Sequence, residues 1–163
     1  LRKAGLELVY VGVESSSDFV LKDMQRFTVE HDKQFEVIKK CEDAGIKVKT
    51  MFIIGNPEDN KDTIVKSIEY AKYLPSLYSQ FSVFTPYPGT PAYNEFKDII
   101  TESKLENFNQ YNLTFEHKNL SKKDISELKS LAYFKFYLNL KKITQVLKYF
   151  IQSKYEKVYK RVG

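Results

Sequence analysis

A single cysteine, Cys41, is all the thiol that the 163 residues contain. No internal disulfide is possible, and no cysteine-based zinc or iron–sulfur site can be assembled from this chain's own ligands. A chain so poor in thiols fits a reducing compartment, and a cytoplasmic setting is the simplest expectation. Tryptophan is absent, and no run approaches the roughly 18 apolar residues that a membrane-spanning helix requires. Only six glycines and five prolines occur, so each marks a local turn rather than a biased composition. The opening Leu1-Arg2-Lys3-Ala4-Gly5 has neither an initiator Met nor the apolar stretch of a signal peptide, and reads as the end of a helix already under way.

What is present is ordinary for a globular protein, with 42% hydrophobic and 29% charged residues, enough for one core and a tail. The net charge of +5 is modest, and no specific nucleic-acid partner is expected from it. Its distribution is uneven. Between residues 129 and 161 nine basic residues stand against one acid, Glu156.

Apolar periodicity gives an alternation of strands and helices. Leu6-Glu7-Leu8-Val9-Tyr10-Val11-Gly12-Val13 is predicted to be a strand buried on both faces, with Gly5 as the helix cap before it. Phe35, Val37, Ile38, Cys41 and Ala44 share a helical face that stops at Gly45, and a strand follows over residues 46–54. Ile64, Ile68, Ala71 and Leu74 mark a second helix before Pro75, and residues 80–85 a third strand. Crossovers of this length predict parallel pairing and a right-handed α/β wind. Residues 92–100 are expected to form a short helix, residues 101–119 an irregular linker, and Ser121 with Asp124 a capping box opening another helix. Ile143, Val146, Leu147, Phe150, Ile151, Tyr155 and Val158 form a last helical stripe.

Ligands of parallel α/β folds sit at the carboxyl ends of the strands. Those ends carry Gly12-Val13-Glu14-Ser15, Ile53-Ile54-Gly55-Asn56-Pro57-Glu58 and Phe84-Thr85-Pro86-Tyr87-Pro88-Gly89-Thr90-Pro91. A carboxylate at the first end can accept from vicinal hydroxyls, Gly55 would let a flat ring approach the backbone, and the prolines make a stiff rim. Together they suit one wall of a nucleoside site.

In order and spacing these segments, with the helix exit Ala44-Gly45-Ile46, resemble the fourth, fifth and sixth strands of the radical S-adenosylmethionine partial barrel, most closely its cobalamin-binding subclass. The resemblance implies an α/β fold, the second half of a (β/α)6 barrel over residues 1–100, followed by a linker and helical extension over residues 101–163. It implies that Glu14 contacts the ribose of S-adenosylmethionine and that Arg26 holds the ribose or the methionine carboxylate, a helix-end surface charge being the alternative for Arg26. It also implies that Ile53 packs on adenine, that Gly55 and Glu58 shape the same turn, that Thr85 and Pro86 border the adenine, and that Tyr87 and Thr90 face the substrate. Met51 departs from the family's first glycine in that strand, and two family patterns disagree at Glu58. Cys41 reads as a core residue, His31 and His117 as surface polar residues, and Tyr133, Phe134, Phe136 and Tyr137 as helix packing.

Family members hold a four-iron four-sulfur cluster with three cysteines after the first barrel strand, and some bind cobalamin. A parent with both would carry them upstream, so the chain is expected to be inactive alone and to pair with a missing N-terminal half. The alternative is a non-catalytic binding module derived from the same fold. A small-molecule or lipid-like substrate is compatible with either. The basic tail over residues 143–161, with Lys142, Lys148, Lys154 and Lys157 beside its apolar stripe, reads first as an internally packed helix, the alternatives being docking on the missing half or peripheral contact with an anionic membrane.

Overall fold

The computed structural model of the chain describes residues 1–28 and 30–162, those from 152 onward by backbone alone. Three strands, β1 (Leu8–Glu14), β2 (Lys47–Ile54) and β3 (Tyr78–Val83), form a parallel sheet in the order β1-β2-β3. Helices α1 (Asp18–Asp23) and α2 (His31–Asp43) connect β1 to β2, and α3 (Lys61–Tyr73) connects β2 to β3. Beyond the sheet come α4 (Pro91–Phe96), α5 (Lys122–Tyr137) and α6 (Leu140–Val162). The expected alternation of strands and helices and the parallel pairing are present; α1 was not legible, because its six residues carry too little apolar periodicity.

Side-chain alternation splits the sheet into two unlike faces. Val48, Phe52, Ile54, Phe81 and Val83 are buried with Ile38, Ile64, Ile68, Ile125 and Phe136 beneath the helices, in the single core cluster. The other face carries Tyr10, Lys49 and Tyr78 in one row and Gly12, Met51 and Gln80 in the next. Tyr10 is 64% exposed, which corrects the expectation that the first strand is buried on both sides. This second face is covered only in part, by Gln110 on Gln80 and Ser82 and by Tyr149 beside Lys47, so its strands alternate like those of a sheet with one wetter side.

Local chemistry fixes the helix ends. Asn60 and Ser121 both form capping boxes, with Thr63 and Asp124 respectively, while Gly5 (φ 93°) and Gly45 (φ 77°) take the left-handed turn that ends a helical segment. The third strand starts two residues before the expected position and ends at Val83, so Thr85 and Pro86 lie beyond it. Residues 92–100 are not one helix, since α4 ends at Phe96 and a 3-10 turn follows. Residues 101–119 are irregular, as their polarity suggests, but they pack: Ile100 bridges Phe115, and Phe108, Leu113 and Phe115 are buried.

The free edge of β3 is covered by side chains. On α5, Tyr137 accepts from the Ser79 N–H (3.3 Å) and donates to the Ser79 carbonyl (3.0 Å), and one turn earlier Tyr133 does the same at Phe81 (3.2 and 3.4 Å). The Val83 N–H donates to the Gln110 carbonyl (2.8 Å). Each backbone group that a fourth strand would use is therefore already paired.

The apolar stripe of α6 is divided. Ile143 and Val146 are half-buried, whereas Leu147, Phe150 and Ile151 are more than half exposed. Lys142, expected beside the stripe, is the buried residue of the first turn, with Nζ donating to the carbonyls of Leu74 (2.7 Å) and Ser76 (2.6 Å). The remainder of the expected docking segment, including Tyr155, Val158 and the basic side chains from Lys154 onward, lies outside the described side chains. No described helix is long and apolar enough to cross a membrane.

Candidate functional site

A cleft of about 800 Å³ opens at the carboxyl ends of all three strands. It brings Glu14, Arg26, Ile53, Glu58, Thr85 and Tyr87 together, residues separated by up to 73 positions in sequence (87 − 14). Gly55, Pro86 and Thr90 lie nearby in sequence but do not line it.

Glu14 is held in an unusual way. Its φ is 64°, a left-handed conformation seldom adopted by a residue with a side chain, at a register shift between Gly12 and Glu14. The serines that follow fix it: the Ser15 N–H donates to the Val13 carbonyl (2.8 Å), and the Ser16 N–H to the Ser67 hydroxyl on α3 (3.0 Å). The carboxylate folds back over Gly12, where an added Cβ would stand 2.6 Å from Oε1. A side chain at position 12 would therefore displace it. Among the described residues, no donor lies within hydrogen-bond distance of this carboxylate. Burial raises its pKa above the ordinary range, and the Arg26 guanidinium pulls it partly back. A half-buried acceptor without a donor, facing an open cleft, is suited to hydroxyl groups of a ligand.

The second strand end is built differently from expectation. Gly55 has φ 71°, and a Cβ there would lie 2.8 Å from Ile125 Cδ1 of α5. Its small size serves packing against that helix. Glu58 is ion-paired with Lys118, so its carboxylate is already engaged. Ile53 presents the apolar side chain beside them.

At the third end, Thr85 donates to the carbonyls of Val83 (3.1 Å) and Asn109 (2.9 Å), pinning the loop to the irregular segment. Pro86 is buried. Thr90 caps α4, accepting from the Tyr93 N–H (3.2 Å) and donating to the Tyr87 carbonyl (2.6 Å), while Tyr87 itself faces the cleft.

His117 is the residue that the sequence misplaced. It is buried, not a surface group, because it joins two segments distant in the chain: Nδ1 accepts from the Asn119 N–H (3.1 Å), which leaves Nε2–H to donate to the Asn56 carbonyl (2.8 Å). Asp59, 2% exposed, accepts from the Asn56 N–H (3.0 Å) and the Thr63 hydroxyl (2.6 Å), with burial raising its pKa above the ordinary range. These contacts hold the turn that carries Pro57 and Glu58. Nothing in a lone histidine amid polar residues signals such a bond.

Residues 1–71 match the sequence model of the Radical SAM superfamily. Across 86% of its length the chain is 27% identical to an uncharacterized methyltransferase of Pyrococcus horikoshii. It is 26% identical over 77% of its length to the bacteriochlorophyllide d C-12(1)-methyltransferase of Chlorobaculum tepidum, and 25% identical over 84% to the anaerobic magnesium-protoporphyrin IX monomethyl ester cyclase of Cereibacter sphaeroides. The chain spans 31%, 27% and 22% of those three proteins. Cys41, on α2 and half-buried against the core, is its one thiol, so these residues do not fit a cysteine-held cluster.

Proposed function

We propose that this chain is the second half of a (β/α)6 radical SAM barrel and that its cleft binds the nucleoside end of S-adenosylmethionine. The Glu14 carboxylate carries the reading: strained, half-buried, without a donor among the described residues, and given its space by Gly12. Glu14 would hold the ribose hydroxyls, Ile53 would cover one face of the adenine, the Thr85 loop would border its edge, and Arg26 would attract the methionine carboxylate. S-adenosylmethionine bound in such a barrel supplies either a carbon radical for hydrogen abstraction or a methyl group for transfer. The protein's part in this chain is to bind and orient, with Tyr87 on the substrate side. A cluster, and cobalamin if the parent uses it, would be held by residues outside this chain, in an N-terminal half that completes the barrel.

The test is calorimetric titration of S-adenosylmethionine into a protein containing both barrel halves. Replacing Glu14 by Ala removes acceptors that nothing else supplies and is expected to cost about 1–3 kcal/mol, or roughly 5- to 150-fold in affinity. Glu58→Ala is expected to cost less, because Glu58 is already neutralised by Lys118. Equal or reversed losses contradict the assignment.

A further inference from the structure

Below the cleft, on the wet face of the sheet, Lys49 stands between two phenols in the row Tyr10, Lys49, Tyr78. Its ammonium lies 5.3 Å from the centroid of the Tyr10 ring. Among the described residues no carboxylate comes within 4.0 Å of it and no acceptor takes its hydrogens. A half-buried cation satisfied by a ring face alone retains donors for a ligand.

Beside it lies a groove of about 310 Å³, separate from the cleft, with Tyr78 and Tyr111 among its walls and the edge-covering Tyr133 and Tyr137 along β3. Its polar side chains are oriented in advance. The Gln80 Nε2 donates to the Ser82 hydroxyl (3.1 Å) and to Gln110 Oε1 (2.9 Å), and the Ser82 hydroxyl donates to the same Gln110 oxygen (3.0 Å). The space is at the small end of ligand sites, and it combines flat walls, neutral amides and one positive charge. One lysine suits a single negative charge, and four phenol rings suit a flat body.

We propose that this groove binds a flat organic carboxylate, with Lys49 on the carboxylate and the tyrosines on the ring system. That the ligand is the barrel's own substrate rests on the functional reading above; that the groove binds it does not. Ser82 and Gln110 line both cavities, so a molecule anchored at Lys49 could extend toward the cleft.

The experiment is a titration of the 163-residue chain with benzoate, benzamide and inorganic phosphate, read by the NMR shifts of the tyrosine rings. Benzoate is expected to shift Tyr78 and Tyr111 saturably, with benzamide and phosphate about tenfold weaker or more. Lys49→Met is expected to weaken benzoate by about tenfold or more, and Lys49→Arg to retain it within roughly threefold. Gln80→Glu places a carboxylate in the groove and is expected to exclude benzoate while leaving the core resonances in place. Absence of saturable shifts, equal binding of benzamide or phosphate, or full binding by Lys49→Met overturns the proposal. The readout contains no S-adenosylmethionine, so failure here leaves the nucleoside site standing, and loss of that site leaves the benzoate shifts intact.

Discussion

Lys142 is 3% exposed, yet among the described residues no carboxylate pairs with it. Two carbonyls and the ring of Phe136, 4.9 Å from Nζ, are its partners, and burial lowers its pKa to about 8 against a weaker opposing pull from Glu42. An unfolded lysine titrates near ~10.4. Between those values the unfolded chain holds a proton that the folded chain has released, so stability rises with pH across the window, and below it the full cost of burying the charge is carried. The total rise is on the order of 3 kcal/mol. Urea unfolding of wild type and Lys142→Met across this pH range is expected to show the slope in wild type alone. An equal slope in both would mean that other groups cause it. Glu14, at the cleft, was legible as a strand-end carboxylate. Its left-handed backbone was not, because that conformation depends on Ser67 of α3, 53 residues away in sequence (67 − 14).

Among the elements, α5 is the one whose purpose is least visible from its own sequence. Tyr133 and Tyr137 have the i, i+4 spacing of any packed helix face, and helix packing was the natural reading. Phe136 does pack, wholly buried under Phe81, but the two tyrosines also stack on each other at 6.3 Å and pair the exposed edge of β3. Unpaired strand edges invite association with other chains. Tyr133→Phe and Tyr137→Phe keep the rings and delete the hydroxyls, each leaving one N–H and one C=O of β3 without its partner. Each is expected to cost about 1–2 kcal/mol in denaturant unfolding, and the double variant is expected to gain a tendency to self-associate in sedimentation. Unchanged stability in both single variants would show that water replaces the hydroxyls at no cost. Capping boxes and glycine stops were legible because they depend on neighbours within a few residues. The edge cover was not, because the register between α5 and β3 is set by the core between them.

For the whole molecule, the sheet has a filled side and an open side. Helices and the irregular segment cover the first, and its chemistry followed from the alternation of apolar residues. The open side carries Tyr10, Lys49, Met51, Gln80 and the approach to Glu14. That is why the first strand reads as doubly buried in sequence and is exposed in the structure, and why a linker-like segment such as residues 101–119 proved to be packed: polarity reports average solvation and not position. Gly55 also packs against α5 and Thr90 also caps α4, contacts that the strand-end motifs alone do not reveal. The account stands on the strand-end cleft being the nucleoside site, and the most direct measurement is an amide and methyl NMR footprint of S-adenosylmethionine and of 5′-deoxyadenosine on the chain. Both are predicted to move the resonances of Gly12, Glu14, Ile53 and Thr85, and to lose that footprint in Glu14→Ala. Shifts confined to other regions, or a footprint unchanged by Glu14→Ala, would contradict it.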